Sequence, residues 1–273
     1  MRETHRRVTS WVLPGLMNPD VDAHFFSVLN GARVTEAPFP HLYLQNVFPE
    51  DYYRELVAAL PPSDFYTPMA PPYQARLSAM MNRQWIEKLP APLRGVWAEF
   101  EGWIHSQPFM DRIVAKFSPW LPLGSEHRRP QIAQARDGRV GVRPRTLIAR
   151  DSGTFSIGPH TDSVLKFIVG IFYLPVDESM IDFGTSIYRP KQKGFREWAS
   201  THRDHALFEK IVTFENRPNH LLLFVKTDES FHGVDKKTYP DTGRDVVFWV
   251  PELVGKPGGE QTLSVPVDCF SHR

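Results

Sequence analysis

The sequence contains one cysteine, Cys269, among its 273 residues. A single cysteine excludes both a disulfide within the chain and a cluster of thiolate metal ligands, and it favours an intracellular location. The chain also lacks a run of about 18 apolar residues, the usual length of a transmembrane helix. The apolar stretch at residues 8–14 is too short and too interrupted for a signal sequence. We therefore expect a cytoplasmic protein without a membrane span.

An excess of charge of either sign is also missing. The sequence has 32 basic and 31 acidic residues, which gives a formal net charge of +1. Because neither sign dominates, the composition predicts no binding to nucleic acid or to a charged membrane surface. The length and a hydrophobic content of 41% are those of a globular protein with a sizeable core.

Proline, in contrast, is abundant, with 25 residues. Each proline removes an amide donor and clashes inside a helix, so this content favours short strands joined by turns. The second half of the chain has such strands as short β-branched or aromatic runs separated by turn residues, at 146–150, 166–174, 185–188, 221–226 and 245–250. Evenly spaced strands without crossover helices predict an antiparallel barrel or jelly roll.

The first half has helical signals. Residues 49–62 open with proline and acidic residues and end at a proline pair, and residues 91–117 carry an apolar stripe. We predict one domain over residues 1–273, largely helical over 1–140, with the β core at 141–265. The predicted fold class is α+β, mainly β: a double-stranded β-helix core of the jelly-roll or cupin type, with N-terminal helices packed on it.

A polar and basic segment at residues 190–219, called the excursion below, interrupts the predicted strands. Connections longer than about 12–15 residues tend to be functional or disordered. Because the excursion joins two strands expected to line the central cavity, we predict that it covers the cavity mouth and helps to select the substrate. The alternative is a solvated insertion packed away from the site.

Three residues of the second half could bind a metal ion: His160, Asp162 and His232. Side chains at positions i and i+2 of a strand lie on one face, so His160 and Asp162 are expected to share a cavity. Two imidazoles and one carboxylate on one face of an octahedral ion suit non-haem iron(II), and zinc could use the same atoms. Taken alone, the pattern is weak, and a hydrogen-bonded polar pair at a strand end explains it as well.

Arg244 gives this pattern a context. It opens the strand-like segment at residues 244–250, and an unpaired guanidinium is costly to bury. An anionic ligand would explain its position, because a guanidinium matches a carboxylate with two parallel hydrogen bonds. The alternative is a surface arginine paired with Asp241 or Asp245.

With these residues in place, the sequence resembles the 2-oxoglutarate-dependent iron(II) dioxygenase superfamily, especially its prolyl-hydroxylase-like branch. The resemblance extends over blocks that occur in the same order in the family. These are a first strand and helix (39–60), a proximal metal block (150–162), the strand after it (169–175), a glycine-led strand (183–188), and a distal block (221–225 with 230–234) that ends in Arg244.

The resemblance implies the site and the reaction. His160, Asp162 and His232 would bind Fe(II), Arg244 would bind the far carboxylate of the cosubstrate 2-oxoglutarate, and O2 would be the oxidant. The implied activity is hydroxylation of a small-molecule or glycan-type substrate, with release of succinate and CO2. Hydroxylation is favoured over halogenation because Asp162, which halogenating relatives replace with a small residue, is present; desaturation and ring formation remain open alternatives.

One position departs from the family pattern. Many relatives have serine or threonine two residues after the arginine, whereas this sequence has Val246. Candidates for the second partner of the cosubstrate carboxylate are Lys166, Thr185 and Tyr188. Lys166 shares the strand parity of His160, although a β-bulge would change that parity and leave it exposed.

Other polar residues have simpler interpretations. We expect His202 and His205, in the polar excursion, to be surface residues. The basic clusters at 127–129 and 136–145 are interpreted as solvated faces, with contact to an anionic substrate as the alternative.

Two functions from other classes remain open. One is a cupin-like metal-dependent hydrolase or isomerase, and the other is a jelly-roll binding module without catalysis. Both differ from an oxygenase in a measurable way, because only the oxygenase stops turning over when 2-oxoglutarate is omitted.

Overall fold

The computed structural model describes residues 17–121, 128–257 and 262–270. The stretch at 8–14 that was judged unlike a signal sequence, and His127 of the first basic cluster, lie outside these ranges. No helix in the described part of the chain is long and apolar enough to cross a membrane.

The α-helices of the described residues precede residue 133, and three of the six begin at a residue whose side chain caps them. Before the first helix, the Asn18 side chain accepts a hydrogen bond from the Asp20 amide, and before the fifth, Ser106 accepts one from Phe109. The helices are α1 (Pro19–Gly31), α2 (Glu50–Ala58), α3 (Arg83–Lys88), α4 (Ala91–Ile104), α5 (Gln107–Phe117) and α6 (Arg129–Ile132). The helical region predicted over 91–117 is therefore two helices, because the Ser106 cap starts a second one.

Twelve strands are present in the described residues. They are β1 (His41–Gln45), β2 (Thr67–Pro68), β3 (Arg76–Met80), β4 (Arg139–Arg143), β5 (Thr146–His160), β6 (Ile168–Tyr173), β7 (Thr185–Pro190), β8 (Phe208–Phe214), β9 (His220–Val225), β10 (His232–Trp249), β11 (Glu252–Gly255) and β12 (Leu263–Pro266). Strands β1 to β3 lie in the part predicted as largely helical, and β8 occupies part of the excursion.

The strands form an antiparallel sheet that curves into a nearly closed, barrel-like jelly roll. Its order is β1-β9-β6-β10-β5-β3-β2, and β7 joins it by pairing with both β10 and β8, while β11, β4 and β12 form a separate small sheet. The long strands β5 and β10 pair along most of their length, with register shifts that let them bend. The predicted jelly-roll fold class is confirmed.

Both faces of the central strands are buried, which explains their continuous apolar sequences. One face packs against the helices through aromatic side chains that include Phe25, Phe48, Trp103 and Phe172. The other face forms the barrel interior, with Val169, Ile171, Leu222, Phe224 and Val246. The helices thus support the sheet from outside and leave the interior available for a site.

Candidate metal and anion site

The two histidines of the predicted triad face each other across paired strands. His160 is the last residue of β5, His232 is the first residue of β10, and the two are direct partners in the ladder. Asp162 lies just beyond the end of β5, with a φ of 69°. Alternation along a strand is therefore the wrong reason for the shared cavity of His160 and Asp162, because a turn in the left-handed region carries Asp162 there.

The three side chains bring their ligand atoms together. Asp162 Oδ2 is 3.4 Å from His232 Nε2, and Asp162 Oδ1 is 3.9 Å from His160 Nε2. One ligand atom from each residue lies within 4.8 Å of the others. Donor atoms this close together can converge on one ion at the 2.0–2.3 Å typical of nitrogen and oxygen ligands after small side-chain movements. The triad forms a candidate metal centre.

Backbone carbonyls orient both imidazoles. Nδ1 of His160 donates to the carbonyl of Gly158 at 3.0 Å, and Nδ1 of His232 donates to the carbonyl of Ser230 at 3.0 Å. With the proton held on Nδ1, the lone pair of each Nε2 points into the cavity, as metal-binding histidines require.

The charges of the triad also suit a metal. Burial lowers the pKa of both His160 and His232, so their imidazoles are neutral near pH 7. Burial alone would raise the pKa of Asp162, but the Lys166 ammonium, 2.6 Å from Oδ1, outweighs it and lowers that pKa. Two neutral imidazoles and an ionised carboxylate are the protonation states that bind a cation.

Arg244 lies in the same cavity and is buried, with 1% of its surface exposed. Its Nη2 donates to Asp151 at 2.6 Å, and its Nη1 donates to the carbonyl of Phe183. A surface pairing with Asp245 is excluded, since Asp245 binds Arg150 instead; the side chain of Asp241 lies outside the described residues.

A second guanidinium binds the same carboxylate. Arg76 of β3 donates from Nε and Nη2 to the two oxygens of Asp151, at 2.5 and 2.9 Å. Asp151 is completely buried, and although burial favours its neutral form, the two arginines lower its pKa. The cluster of Arg76, Asp151 and Arg244 thus keeps one uncompensated positive charge beside the candidate metal centre.

Several buried polar atoms near Arg244 have no hydrogen-bond partner in the described part of the chain: Arg244 Nε, Tyr173 Oη and Tyr239 Oη. Burial raises the pKa of Tyr173 to about 12, so its hydroxyl stays protonated and can donate. Unsatisfied buried donors cost about 1–3 kcal/mol each. Their grouping around a buried arginine fits an anionic ligand that the protein is built to bind.

The other predicted cosubstrate residues occupy different places. Thr185 lines the cavity, and Lys166 does too, although its ammonium contacts Asp162. Tyr188 packs among Phe208 and Phe231 and donates to Asp235 at 2.7 Å, so the structure does not bring its side chain to the cavity. A register shift between Ile187 and Tyr188 accompanies this placement.

The excursion reaches the site, and the prediction that His202 lies on the surface is wrong. The His202 ring packs edge-on against His160, with centroids 4.4 Å apart, and its Nδ1 is hydrogen-bonded to the Tyr73 hydroxyl. His202 also lines the cavity. His205 packs against Tyr188 and is partly buried.

The loop at 191–207 is held against the end of β5 by backbone contacts. Arg203 N donates to the carbonyl of Pro159 at 3.0 Å, and Thr161 Oγ1 donates to the carbonyl of Glu197 at 2.7 Å. A Cβ added at Gly158 would lie 2.1 Å from the Arg203 carbonyl oxygen. Only glycine permits this approach of loop and strand.

The interpretation of residues 127–129 as a solvated face is wrong for Arg128. This arginine is buried and donates to the carbonyls of Val164, Lys166 and Lys226. It supports the segment that carries Lys166, and its guanidinium stacks on Trp198 of the excursion.

Sequence reasoning did not select Arg76, Asp151 or Tyr173. Tyr173 could have been found from its parity, since it follows the inward-facing Val169 and Ile171 at intervals of two. Arg76 carried no such signal, because only the pairing of β3 with β5 places it opposite Asp151.

Comparisons with known proteins give structural similarity at low sequence identity. No protein-family model and no curated protein matches the sequence. The carbocyclase SnoK of nogalamycin biosynthesis, described as non-heme and alpha-ketoglutarate dependent, has a TM-score of 0.48 and 14% identity over 82% of this chain and 91% of its own.

Two further solved structures were found. A Pseudomonas putida prolyl-4-hydroxylase gives a TM-score of 0.41 and 10% identity over 86% of this chain and 100% of its own. A Burkholderia pseudomallei oxidoreductase of the 2OG-Fe(II) oxygenase family gives 0.42 and 11% over 86% and 92%. Similarity at this level does not transfer a function, so the function must be inferred from the side chains described above.

Proposed function

We propose that this protein is an iron(II)- and 2-oxoglutarate-dependent oxygenase. The observation that carries the proposal is the presence, in one cavity, of the His160–Asp162–His232 group and of the buried Arg244 with an unpartnered Nε. Three ligands on one side of an ion leave the other positions open for a chelating cosubstrate and O2. A cupin-like hydrolase or isomerase would need no arginine for 2-oxoglutarate.

The residues of the chain would have distinct roles. His160, Asp162 and His232 would bind Fe(II), and Arg244 would bind the distal carboxylate of 2-oxoglutarate. Thr185, which lines the same cavity, is the best placed further donor, and the Tyr173 hydroxyl lies next to Thr185 behind it. Lys166 stays on Asp162 and would hold the carboxylate ionised and fixed in orientation.

When bound, the iron and 2-oxoglutarate supply the oxidation of a C–H bond by O2, with release of succinate and CO2. The protein orients the reactants and excludes water. The apolar walls formed by Ile157, Val169, Ile171 and Phe248 limit the water in contact with the reacting groups. Hydroxylation of a small-molecule or glycan-type substrate is the proposed outcome.

Conversion of 2-oxoglutarate in the absence of another substrate is the direct test. We expect slow formation of succinate that requires Fe(II), O2 and 2-oxoglutarate together and that is lost in His232→Ala. The matched control His205→Ala should retain it, because His205 does not contact the triad. Binding of a metal without binding or consumption of 2-oxoglutarate would instead support a hydrolase or isomerase.

A non-catalytic binding module makes a different prediction. Such a protein would bind 2-oxoglutarate and the metal but form no succinate under any condition. Calorimetric binding measured beside succinate formation separates these outcomes.

A further inference from the structure

The second guanidinium in the cavity, that of Arg76, has a role beyond holding Asp151. Its Nε and Nη2 are occupied by the two Asp151 oxygens. Its flat faces are covered by Phe155 and Phe248, whose ring centroids lie 4.5 and 5.1 Å from the guanidinium carbon. Nη1 makes no hydrogen bond with any described residue, and Arg76 lines the cavity. The side chain is therefore fixed, with one donor group unused.

Charge neutrality of Asp151 does not require Arg76. Arg244 already donates to Asp151 at 2.6 Å and would neutralise it alone. Burying a second guanidinium costs several kcal/mol unless a further anion compensates it. An arginine that served only to support Asp151 would therefore reduce the stability of the fold without a compensating interaction. An arginine that also binds an anionic ligand has such an interaction.

The charges around the cavity remain unbalanced after both proposed cofactors are counted. Arg76, Lys166 and Arg244 are cationic, and Asp151 and Asp162 are anionic. Iron(II) adds two positive charges, and 2-oxoglutarate adds two negative charges. One positive charge is left over, with the histidines neutral, which matches a substrate with one negative charge.

The part of the cavity beside the excursion is where this charge acts. Arg76 lines the same cavity as His160, Asp162 and His232, and so does His202 of the excursion, whose ring packs on His160. Arg76 thus lines the region in which a substrate would meet the open side of the metal.

We propose that Arg76 is the specificity residue for a substrate carboxylate, so that the protein oxidises a small monocarboxylic acid or the acidic end of a larger molecule. This inference rests on the function proposed above. A carboxylate matches the single excess charge, whereas a phosphate dianion would exceed it. The cavity measures about 220 Å³, below the roughly 300–1,000 Å³ of ordinary ligand pockets, which favours a small group.

The test measures binding rather than turnover. The Fe(II)-depleted protein is loaded with Ni(II) and saturated with 2-oxoglutarate, and butyrate, hexanoate, benzoate and phenylacetate are each compared with their primary amides by ligand-observed NMR. We expect at least one acid to bind, at least tenfold more tightly than its amide. Arg76→Met should abolish that preference while the protein still binds 2-oxoglutarate, and Arg76→Lys should retain part of it.

Three results would overturn the proposal: none of the acids binds to the wild type, the amides bind as tightly as the acids, or Arg76→Met leaves the preference unchanged. Failure of the proposed function is distinguishable, because it would appear either as a Ni(II)-loaded wild type that does not bind 2-oxoglutarate or as an Fe(II)-loaded wild type that forms no succinate. If Arg76→Met does not fold, the Arg76→Lys variant and the comparison of acids with amides in the wild type decide the question.

Discussion

His160 and His232 are cross-strand partners, each at the terminus of its strand where β5 and β10 meet. Backbone hydrogen bonds of the ladder therefore set the separation of the two imidazoles, and the turn that follows His160 adds Asp162. The sheet thus fixes two of the three residues of the candidate metal centre, and the turn after β5 supplies the third.

Replacing one of these histidines should remove the metal without disturbing the sheet. We expect His232→Ala to lose tight Fe(II) binding, because only two protein ligands remain, while far-UV circular dichroism stays unchanged. Calorimetric titration with Fe(II) under anaerobic conditions measures the effect, and His205→Ala serves as the control. Tight Fe(II) binding in His232→Ala would show that the ligands lie elsewhere.

Replacing Arg244 should weaken the binding of the cosubstrate and not that of the metal. Arg244→Lys keeps the charge but loses the planar donor group, and a charge-assisted hydrogen bond contributes about 1.5–3 kcal/mol. We expect the Kd of 2-oxoglutarate to rise about 10- to 100-fold while the affinity for Fe(II) changes little. Arg189→Lys, in an exposed ion pair with Glu209, should leave both unchanged. Equal losses for metal and cosubstrate would contradict a separate anion site.

Replacing Asp151 should destabilise the fold. Asp151→Asn leaves Arg76 and Arg244 buried without a counter-charge, and breaking a buried pair costs about 3–5 kcal/mol. Urea unfolding of the metal-free protein measures this loss. The double variant Asp151→Asn with Arg76→Met should lose less than the single one, since one of the unpaired charges is gone. A double variant less stable than Asp151→Asn would mean that packing, and not charge, dominates.

Lys226 should give the stability a pH dependence. Burial lowers its pKa from 10.5 to about 7, and the neighbouring Arg128 acts in the same direction. Between about pH 7 and 10.5 the unfolded chain therefore binds a proton that the folded chain does not, so this group makes the folded state more stable as the pH rises. The contribution has a slope of up to about 1.4 kcal/mol per pH unit.

Urea unfolding between pH 7 and pH 10 checks the sign. In Lys226→Met the free energy of unfolding should be higher at pH 7, and its rise with pH should be smaller than in the wild type by about that slope. Lys193→Met, at an exposed position, should follow the wild type. Identical slopes in wild type and Lys226→Met would mean that Lys226 stays charged in the fold.

Gly158 should be needed for the loop at 191–207 to pack against the end of β5. In Gly158→Ala the new Cβ would collide with the Arg203 carbonyl, so the loop must move away. We expect faster proteolysis within residues 191–207 and less substrate oxidation, with slow 2-oxoglutarate turnover retained. Gly95→Ala in α4 has free space around it and should instead stabilise the protein by about 0.5–1 kcal/mol. Normal protease resistance in Gly158→Ala would show that the loop adapts.

The sequence was sufficient for features that depend on local pattern. Strand-like apolar runs and proline content predicted the jelly roll, and residue types at fixed positions selected His160, Asp162, His232 and Arg244, which the structure gathers in one cavity. The same local reasoning predicted that Tyr188 would reach the cosubstrate, but its side chain packs in a different cluster, with Phe208 and Phe231. A register shift in β7, between Ile187 and Tyr188, accompanies this placement.

Features that depend on pairing between distant segments were not predictable. His202 reaches His160 only because the excursion folds back onto β5, and polar composition alone indicated the surface. Arg128 is surrounded by carbonyl groups that come from two separate segments of the chain. The residues next to a basic residue in the sequence do not indicate partners that come from distant segments.

Strands β5 and β10 carry two candidate metal ligands, His160 and His232, at one point of the ladder and Asp151 and Arg244 at another. Under the proposed function, most groups that would hold the metal and the cosubstrate thus lie on one pair of antiparallel strands and the turn that follows β5. Arg76 and His202, which would meet the substrate, come instead from β3 and from the loop at 191–207. Substrate preference could then diverge through changes in those two segments while the pair of strands β5 and β10 stays as it is. Variant libraries restricted to β3 and the loop at 191–207 should therefore be sufficient to alter substrate selectivity.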